Sequence, residues 1–277
     1  MSNQANFSKW ILGLLGAGLL ACPGSMVAAQ KDNATMTNPS EAAAAASGSD
    51  AAARPLTVTQ IVDRLAAQDK RRAEELKGYS EERHYTVTYH GFPMTMTASL
   101  VVEATYDAPA TKHFQILSET GSKLLADKVL KRLLATEEEA AQDPQKTALT
   151  PANYEFALVN EDTVNGRRCY VLQVTPRNDS KLLYRGKIWV DAEDYAVAEI
   201  EAQPAQNPSF WIRKTLIHHE YAKVGPFWLA EKNESRTEVR MGGTAVLSID
   251  YGKPKTEAAR TESASLPRQP EPQPSGK

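Results

Sequence analysis

Cysteine is nearly absent from this sequence of 277 residues, which has only Cys22 and Cys169. Because Cys22 lies in an N-terminal segment that we expect to be removed, no intramolecular disulfide is expected in the mature chain. A lone cysteine within a strand pattern is typical of a small core residue rather than a reactive thiol. Cysteine usage is therefore compatible with export but does not identify a function.

The sequence also lacks an excess of positive charge, since its formal net charge is −2 and its pI is about 6.3. No run of Lys and Arg is interleaved with aromatic residues, so nucleic acid is not an expected partner. Catalytic motifs are missing as well: there is no G-x-S-x-G, no H-E-x-x-H and no glycine-rich phosphate loop. We expect a binding protein without catalytic residues or a cofactor, although an enzyme with residues spread over several strands is an alternative.

Long apolar runs are limited to one near the N-terminus, from Trp10 to Ala21. This run is too short to cross a hydrocarbon layer of about 30 Å as a helix. It follows Lys9 and precedes Pro23-Gly24, and the segment Val27-Ala28-Ala29 is an ordinary cleavage site. Residues 1–29 are therefore predicted to be a secretory signal peptide, and the mature protein is predicted to reside in the periplasm.

A lipoprotein signal is the alternative reading of the same segment. Leu19-Leu20-Ala21-Cys22 fits a lipobox, in which case Cys22 would carry the lipid and anchor the protein to a membrane.

Candidate metal ligands are sparse. In His218-His219-Glu220, strand alternation places His218 and Glu220 on one face and His219 on the other. Two neighbouring ligands without a third do not define a metal site. The acidic segment 191–194 lacks the spacing of a calcium loop and is typical of a polar turn between strands. We therefore expect no metal.

Composition divides the chain into a central domain and two flanking segments. Residues 30–55 and 253–277 are rich in Ala, Ser and Pro and have almost no aromatic or β-branched residues, which predicts disorder. The remaining residues, 56–252, have the size of one domain with a sizeable core.

Two amphipathic helices are predicted. The first runs from about 58 to 76, with Thr57 and Gln60 as a capping pair and Gly78 as its stop. The second covers 122–141, and its three acidic residues from 137 to 139 lie unfavourably near the helix C-terminus, which indicates fraying there. Its apolar positions recur at three- and four-residue spacing and are Leu125, Ala126, Val129, Leu130, Leu133 and Leu134.

The rest of the domain alternates between apolar and polar residues with a period of two, as strands do. Tyr85, Val87 and Tyr89 share one face of the first strand, and Asn165-Gly166 predicts a hairpin turn. The pattern predicts about ten antiparallel strands, mostly joined in sequence order, and only two sizeable helices. The predicted strands are 83–90, 94–106, 112–118, 154–160, 168–175, 182–190, 195–202, 211–222, 227–239 and 244–251.

Residues 184–252 carry a more specific pattern, which begins with Gly-Lys-Ile-Trp-Val-Asp ending at Asp191 and includes Phe210-Trp211-Ile212, Phe227-Trp228-Leu229 and Ile249-Asp250-Tyr251. This pattern resembles the C-terminal half of the LolA-like proteins, which are described as outer-membrane lipoprotein-sorting proteins. The resemblance implies a mainly β fold of the α+β class: an unclosed, curved antiparallel half-barrel of about ten strands covered by two helices. It also implies that lipid or acyl chains are held between sheet and helices.

Ten large apolar residues occupy positions that would face the concave side of such a sheet, either on alternate strand positions or on the apolar face of the covering helix. They are the predicted contacts of an apolar ligand, and the competing interpretation is that they form a filled core. The residues are Met96, Leu100, Val102, Leu125, Val129, Leu133, Ile188, Trp211, Phe227 and Leu247.

Three functions remain open at this stage. The first is a monomeric periplasmic carrier of lipid or lipoprotein acyl chains, whose protein partners would be an inner-membrane transporter and an outer-membrane acceptor. The second is a regulator like the RseB branch of the same fold, which binds lipid or protein signals. The third is an envelope enzyme. The RseB branch has a second domain, whereas only a short predicted tail follows residue 252 here, so the carrier is favoured.

Overall fold

The computed structural model describes residues 55–258 except 93, 110, 181, 208 and 241. The predicted signal peptide, the predicted linker up to residue 54 and residues 259–277 of the predicted tail lie outside the described residues. No helix in the described part of the chain is long and apolar enough to cross a membrane.

The central feature of the fold is one antiparallel sheet in which ten strands follow the order β3-β2-β1-β10-β9-β8-β7-β6-β5-β4, with a short β11 beside β1. The edge strands β3 and β4 are not paired with each other among the described residues, so the sheet is unclosed and the predicted half-barrel is confirmed. The strands are β1 (Leu76–His90), β2 (Thr95–Asp107), β3 (Thr111–Gly121), β4 (Tyr154–Val164), β5 (Arg167–Pro176), β6 (Tyr184–Asp191), β7 (Val197–Pro204), β8 (Ile212–Val224), β9 (Phe227–Val239), β10 (Thr244–Tyr251) and β11 (Lys255–Ala258).

Two predicted boundaries are wrong, and both involve β1. This strand begins at Leu76, so Gly78 lies within it rather than ending the first helix. Gly78 pairs with Asp107 of β2, and a Cβ there would lie 2.9 Å from the carbonyl oxygen of Tyr106, which explains the glycine by a close backbone approach. The predicted disordered tail also starts too early, because β11 pairs with the first residues of β1.

The hairpin between β4 and β5 turns at Asn165 and Gly166, as predicted. Both residues have positive φ, 50° and 78° respectively. A two-residue turn with positive φ at both positions matches the twist of the flanking strands, which is why Asn-Gly is favoured there.

Helices cover one face of the sheet. Helix α1 (Val58–Glu75) starts with the predicted capping box of Thr57 and Gln60. The second predicted helix is interrupted: α2 (Lys123–Leu125) and α3 (Lys131–Ala141) are joined by a π-helical turn (Ala126–Leu130). We call the segment Lys123–Ala141 the helical cover. All six of its predicted apolar positions are buried.

The covered face of the sheet, which we call the inner face, carries an uninterrupted row of paired residues from β2 to β5. The row is Leu100, Tyr85, Ile249, Asn233, His219, Ile200, Ile188 and Leu172. Directly paired residues of antiparallel strands lie on the same face. The β5–β8 part of this face packs with α1 in a first core cluster, and the β1, β2 and β10 part packs with the helical cover in a second.

The turn between β6 and β7 depends on Asp191, which is 1% exposed. Its carboxylate accepts backbone N–H bonds from Glu193 and Asp194 at 3.0 and 2.7 Å. The Arg167 guanidinium donates to both of its oxygens, at 2.5 and 2.9 Å. The acidic segment is therefore a polar turn held by one buried carboxylate and by basic neighbours.

We expect Asp191→Ala to lower the free energy of unfolding by roughly 2–3 kcal/mol, because hydrogen bonds to a charged acceptor are lost and the Arg167 guanidinium loses its main partner. Denaturant unfolding followed by circular dichroism measures this loss. The control is Glu193→Ala, since the Glu193 side chain is 81% exposed and such a pair contributes at most about 1 kcal/mol. Equal losses in the two variants would contradict this account of the turn.

Candidate functional site on the inner face

The structure brings together seven of the ten predicted ligand contacts and separates the other three. Those that meet in the second core cluster are Met96, Leu100, Val102, Leu125, Val129, Leu133 and Leu247. Ile188 belongs to the first core cluster, and Phe227 belongs to a small third one. Trp211 is partly exposed beside Phe210.

Of the seven clustered residues, Leu125, Val129 and Leu133 belong to the helical cover, and they pack against the four on the strands. Leu100, Val102 and Leu125 are at most 1% exposed. In this conformation the space between cover and sheet is therefore filled by side chains. An apolar ligand reaches these residues only if the cover shifts and ligand atoms replace its contacts.

A buried charged cluster connects the helical cover to the sheet, and the sequence analysis missed it. Arg83 of β1, which is 1% exposed, donates from Nη1 to Oε1 of Glu137 on α3 at 2.7 Å. Its Nε donates to Oε1 of Glu81 at 2.7 Å, and Lys112 Nζ of β3 lies 3.1 Å from the same oxygen of Glu137. The prediction that the acids near residue 137 belong to a fraying helix end is wrong for Glu137, because its carboxylate joins the helix to two strands, β1 and β3.

Glu137 is the group whose ionisation holds this cluster together. Burial raises the pKa of its carboxyl, but the charges and hydrogen bonds of Lys112 and Arg83 outweigh burial and lower the pKa to about 2. Burial raises the pKa of Glu81 as well, and there the charge of Arg83 only partly offsets it. The surroundings of Glu137 thus favour its ionised form, whereas at Glu81 burial outweighs the charge of Arg83.

A stack of flat side chains continues from Arg83 along the inner face. The guanidinium carbon of Arg83 lies 4.7 Å from the ring centre of Tyr251, and the Tyr251 ring stacks on His219 at 6.0 Å. The His219 ring also stacks on Tyr221, with 4.5 Å between the ring centres. This stack connects the second core cluster to the first, since Tyr251 packs against both of them.

His219 is uncharged in this environment. His219 is 0% exposed, and burial lowers the pKa of its imidazole to about 3. The expected alternation is confirmed, since His219 lies on the inner face while His218 and Glu220 lie on the opposite, outer face, 3.5 Å apart.

The outer face has a groove of a different character around His218. It has a volume of about 590 Å³ and is lined mainly by charged and amide side chains, including Arg185, Lys187 and Glu201. Such a lining does not suit a hydrocarbon chain. Donor atoms of His218, Glu199 and Glu201 lie within 4.8 Å of one another and have the chemistry of metal ligands. His218 is hydrogen-bonded to Glu199 at 2.9 Å, and the expectation that no metal binds at 218–220 stays a prediction.

Comparison with known proteins gives distant matches. One family model, described as "-like: Uncharacterized protein", matches residues 137–259, which is less than half of the chain. No curated protein matches the chain.

Solved structures match at low sequence identity. A DUF1329 family protein from Desulfovibrio piger is 14% identical, with a TM-score of 0.39 over 72% of this chain and 93% of its own. A putative outer membrane lipoprotein-sorting protein domain from Vibrio parahaemolyticus is 12% identical, with a TM-score of 0.36 over 72% and 93%. A LolA superfamily protein from Nitrosomonas europaea is 12% identical, with a TM-score of 0.33 over 73% and 94%.

We expect Glu137→Gln to lower the free energy of unfolding at pH 7 by about 3 kcal/mol, because it removes one partner of a buried ion pair. The folded pKa of Glu137 is depressed, so its contribution is present above its unfolded pKa of about 4.3 and is lost as the pH falls towards 2. The variant should therefore lose less stability than the native protein between pH 4.5 and pH 2.

Thermal unfolding at a series of pH values measures both effects, and Glu139→Gln is the control, because this residue is exposed on the same helix. His219 titrates in a higher window: its folded pKa of about 3 lies below its unfolded value near 6.5, so its contribution is lost as the pH falls from 6.5 towards 3 in all three proteins. Parallel pH profiles of the Glu137→Gln and native proteins below pH 4.5 would contradict the role given to Glu137.

Proposed function

We propose that this protein is a periplasmic carrier that binds a lipid, or the acyl chains of a lipoprotein, between the inner face of the sheet and the helical cover. The observation that carries the proposal is the second core cluster, where four strand residues predicted as ligand contacts pack against three predicted contacts on the interrupted helical cover. Binding hydrocarbon requires shape and apolar surface, and no reactive group.

The helical cover is the element that has to move to admit a chain. It contacts the sheet mainly through apolar side chains, so an incoming acyl chain exchanges one set of apolar contacts for another. Burying hydrocarbon contributes about 0.8 kcal/mol per methylene, so a chain of about sixteen carbons gains on the order of 10 kcal/mol before ordering costs. The π-helical turn at Ala126–Leu130 is a natural place for the cover to bend, since such turns interrupt regular helix packing.

The proposal assigns different parts of the ligand to the ten residues. The seven in the second core cluster contact the first part of an inserted chain. Ile188 lies in the same paired row as Leu100, on the far side of His219, and contacts a longer or second chain. Phe227 and Trp211 are contacts for a ligand that extends beyond the two main clusters.

A monomeric carrier of this kind needs protein partners that load and unload it, and we propose an inner-membrane transporter and an outer-membrane acceptor. The two sheet edges are the surfaces that fit such contacts. Ile116 and Leu117 on β3 are 40% and 49% exposed, and Leu158 and Val159 on β4 are 38% and 51% exposed. Exposed apolar edge strands pair readily with other chains. The same edges favour, as a second candidate, an RseB-like regulator that binds a protein signal.

Lipid binding is tested by native mass spectrometry of gently purified protein and by uptake of a fluorescent fatty acid. We expect a lipid mass to co-purify. We also expect Leu100→Ala and Leu133→Ala to alter uptake, because both side chains lie where an inserted chain would pack, and to cost roughly 2–5 kcal/mol of stability, because both are buried in a filled space.

The matched control is Leu65→Ala on α1, which is 0% exposed and lies outside the predicted ligand contacts. It should lose the full 2–5 kcal/mol expected of a core leucine and leave uptake unchanged. If Leu100→Ala and Leu133→Ala also leave uptake unchanged, the seven residues are ordinary core and the site assignment is wrong.

The proposed location has its own test, intact-mass analysis of the mature protein. We expect a chain that begins near Gln30, as the cleavage site after Ala29 predicts. A diacylglyceryl mass on Cys22 would instead make the protein a membrane-anchored lipoprotein, with residues 23–55 as a tether of roughly 30 Å.

A further inference from the structure

Two buried polar side chains in the middle of the inner face are without hydrogen-bond partners in the described part of the chain. They are His219 of β8, which is 0% exposed, and Asn233 of β9, which is 1% exposed. The unpartnered atoms are both ring nitrogens of His219 and both amide atoms of Asn233. The two residues are directly paired across their strands, so four hydrogen-bonding atoms lie close together on one face.

Their position in the row of paired residues is distinctive. Leu100, Tyr85 and Ile249 precede them, and Ile200, Ile188 and Leu172 follow. His219 and Asn233 are thus a polar interruption between two apolar stretches. Buried polar groups without partners are rare in folded proteins and call for a specific explanation.

Depth in the sheet does not by itself leave polar groups without partners. On the same two strands, Thr215 and Thr237 are each 1% exposed, and their hydroxyls are hydrogen-bonded to each other at 3.0 Å. Thr215 and Thr237 therefore have their hydrogen bonds satisfied by each other. His219 and Asn233, two same-face pairs further along β8 and β9, do not.

The chemistry of the pair defines what would satisfy it. The His219 ring stacks on Tyr221 and Tyr251, and its hydrogen-bonding atoms are the two nitrogens at the ring edge. A neutral imidazole offers one N–H donor and one acceptor nitrogen, and an asparagine amide offers both a donor and an acceptor. Arg83 and Lys112, whose charges act on His219, already share Glu137 and so are not free to neutralise an anion there.

We propose that His219 and Asn233 form a polar subsite that binds the uncharged ester or amide group of an acyl lipid whose chains lie in the apolar regions on either side. The proposal rests on the proposed function and narrows its substrate class to molecules with a hydrogen-bonding carbonyl between or beside their chains. A pure hydrocarbon has no group that could accept a hydrogen bond from the pair, and an ionised fatty acid would bring a charge without a free cation beside it, so the subsite selects for acylated molecules with an uncharged carbonyl.

The test compares two probes of equal chain length, monopalmitoylglycerol, which has an ester carbonyl, and hexadecylglycerol, which has an ether in its place. We expect the native protein to prefer the ester. Asn233→Leu and His219→Phe should weaken ester binding about tenfold and leave ether binding unchanged, because only the ester loses hydrogen bonds to a carbonyl. Competition against a fluorescent fatty acid measures both affinities.

A control variant and a spectroscopic measurement separate this role from a structural one. Thr215→Val removes a buried polar group from the same face and should leave the ratio of ester to ether affinity unchanged. Infrared spectra of the ester labelled with ¹³C at its carbonyl should show the band of a hydrogen-bonded carbonyl in the native protein. In Asn233→Leu this band should move to the frequency of a carbonyl without a hydrogen bond. If His219→Phe does not fold, Asn233→Leu and the infrared band still decide the question.

The outcomes are distinguishable. If the native protein binds neither probe, the proposed function itself fails. If it binds both equally and the variants change neither, or change both alike, the subsite is overturned while the carrier function stands. If the native protein prefers the ester and the variants lose that preference, dipalmitoylglycerol and a tripalmitoylated lipopeptide identify the source of the carbonyl: selective weakening of either one by Asn233→Leu assigns the subsite to free lipid or to lipoprotein.

Discussion

The structure depends on one constraint, which is that an unclosed sheet of ten strands presents a broad apolar face that must be covered. A closed barrel would bury this face against itself, but β3 and β4 stay apart at the two ends of the strand order. The chain between these strands, residues 122–153, therefore has to pass from one edge of the sheet to the other. It does so as the helical cover, and α1 covers the other part of the face.

Apolar packing alone would let such a cover slide along the sheet, and the charged cluster fixes its position. Arg83 is surrounded by aromatic rings and held by two carboxylates, so it has a well-defined place on the inner face. Glu137 brings α3 to that place. The cover thus combines non-directional apolar contacts with one directional contact that specifies its position. This division is the physical basis for treating the segment as an access point.

Much of the fold could be predicted from the sequence because strand alternation is a local signal. Nine of the ten predicted strands agree with the observed ones to within four residues at each end. The errors have physical causes: Gly78 was read as a helix stop because a close approach of two strands leaves no local trace, and the π-helical turn keeps the same apolar faces as a continuous helix. Arg83 could have been found, since it is in phase with the buried positions Tyr85 and Val87, but a charged residue at such a position is easily read as exposed.

The clustering of the candidate site was less predictable. Parity assigns a residue to a face, whereas the strand register decides which residues of that face meet, and this is why Ile188, Phe227 and Trp211 lie apart from the other seven.

The pairing of β1 with β10 has a consequence for how the chain acquires its structure. Tyr85 lies opposite Ile249, so strands from the two ends of the domain meet in the middle of the sheet. Without β10, the chain would consist of two separate sheets, β1 to β3 and β4 to β9, each with an apolar face and an additional open edge. The sheet becomes continuous only when the last of its ten strands is available, and pairings between residues so distant in sequence form slowly. A chain that emerges gradually from a ribosome or a membrane channel therefore has its least protected surface just before its C-terminal strand arrives. A holding chaperone would have its greatest effect at that moment.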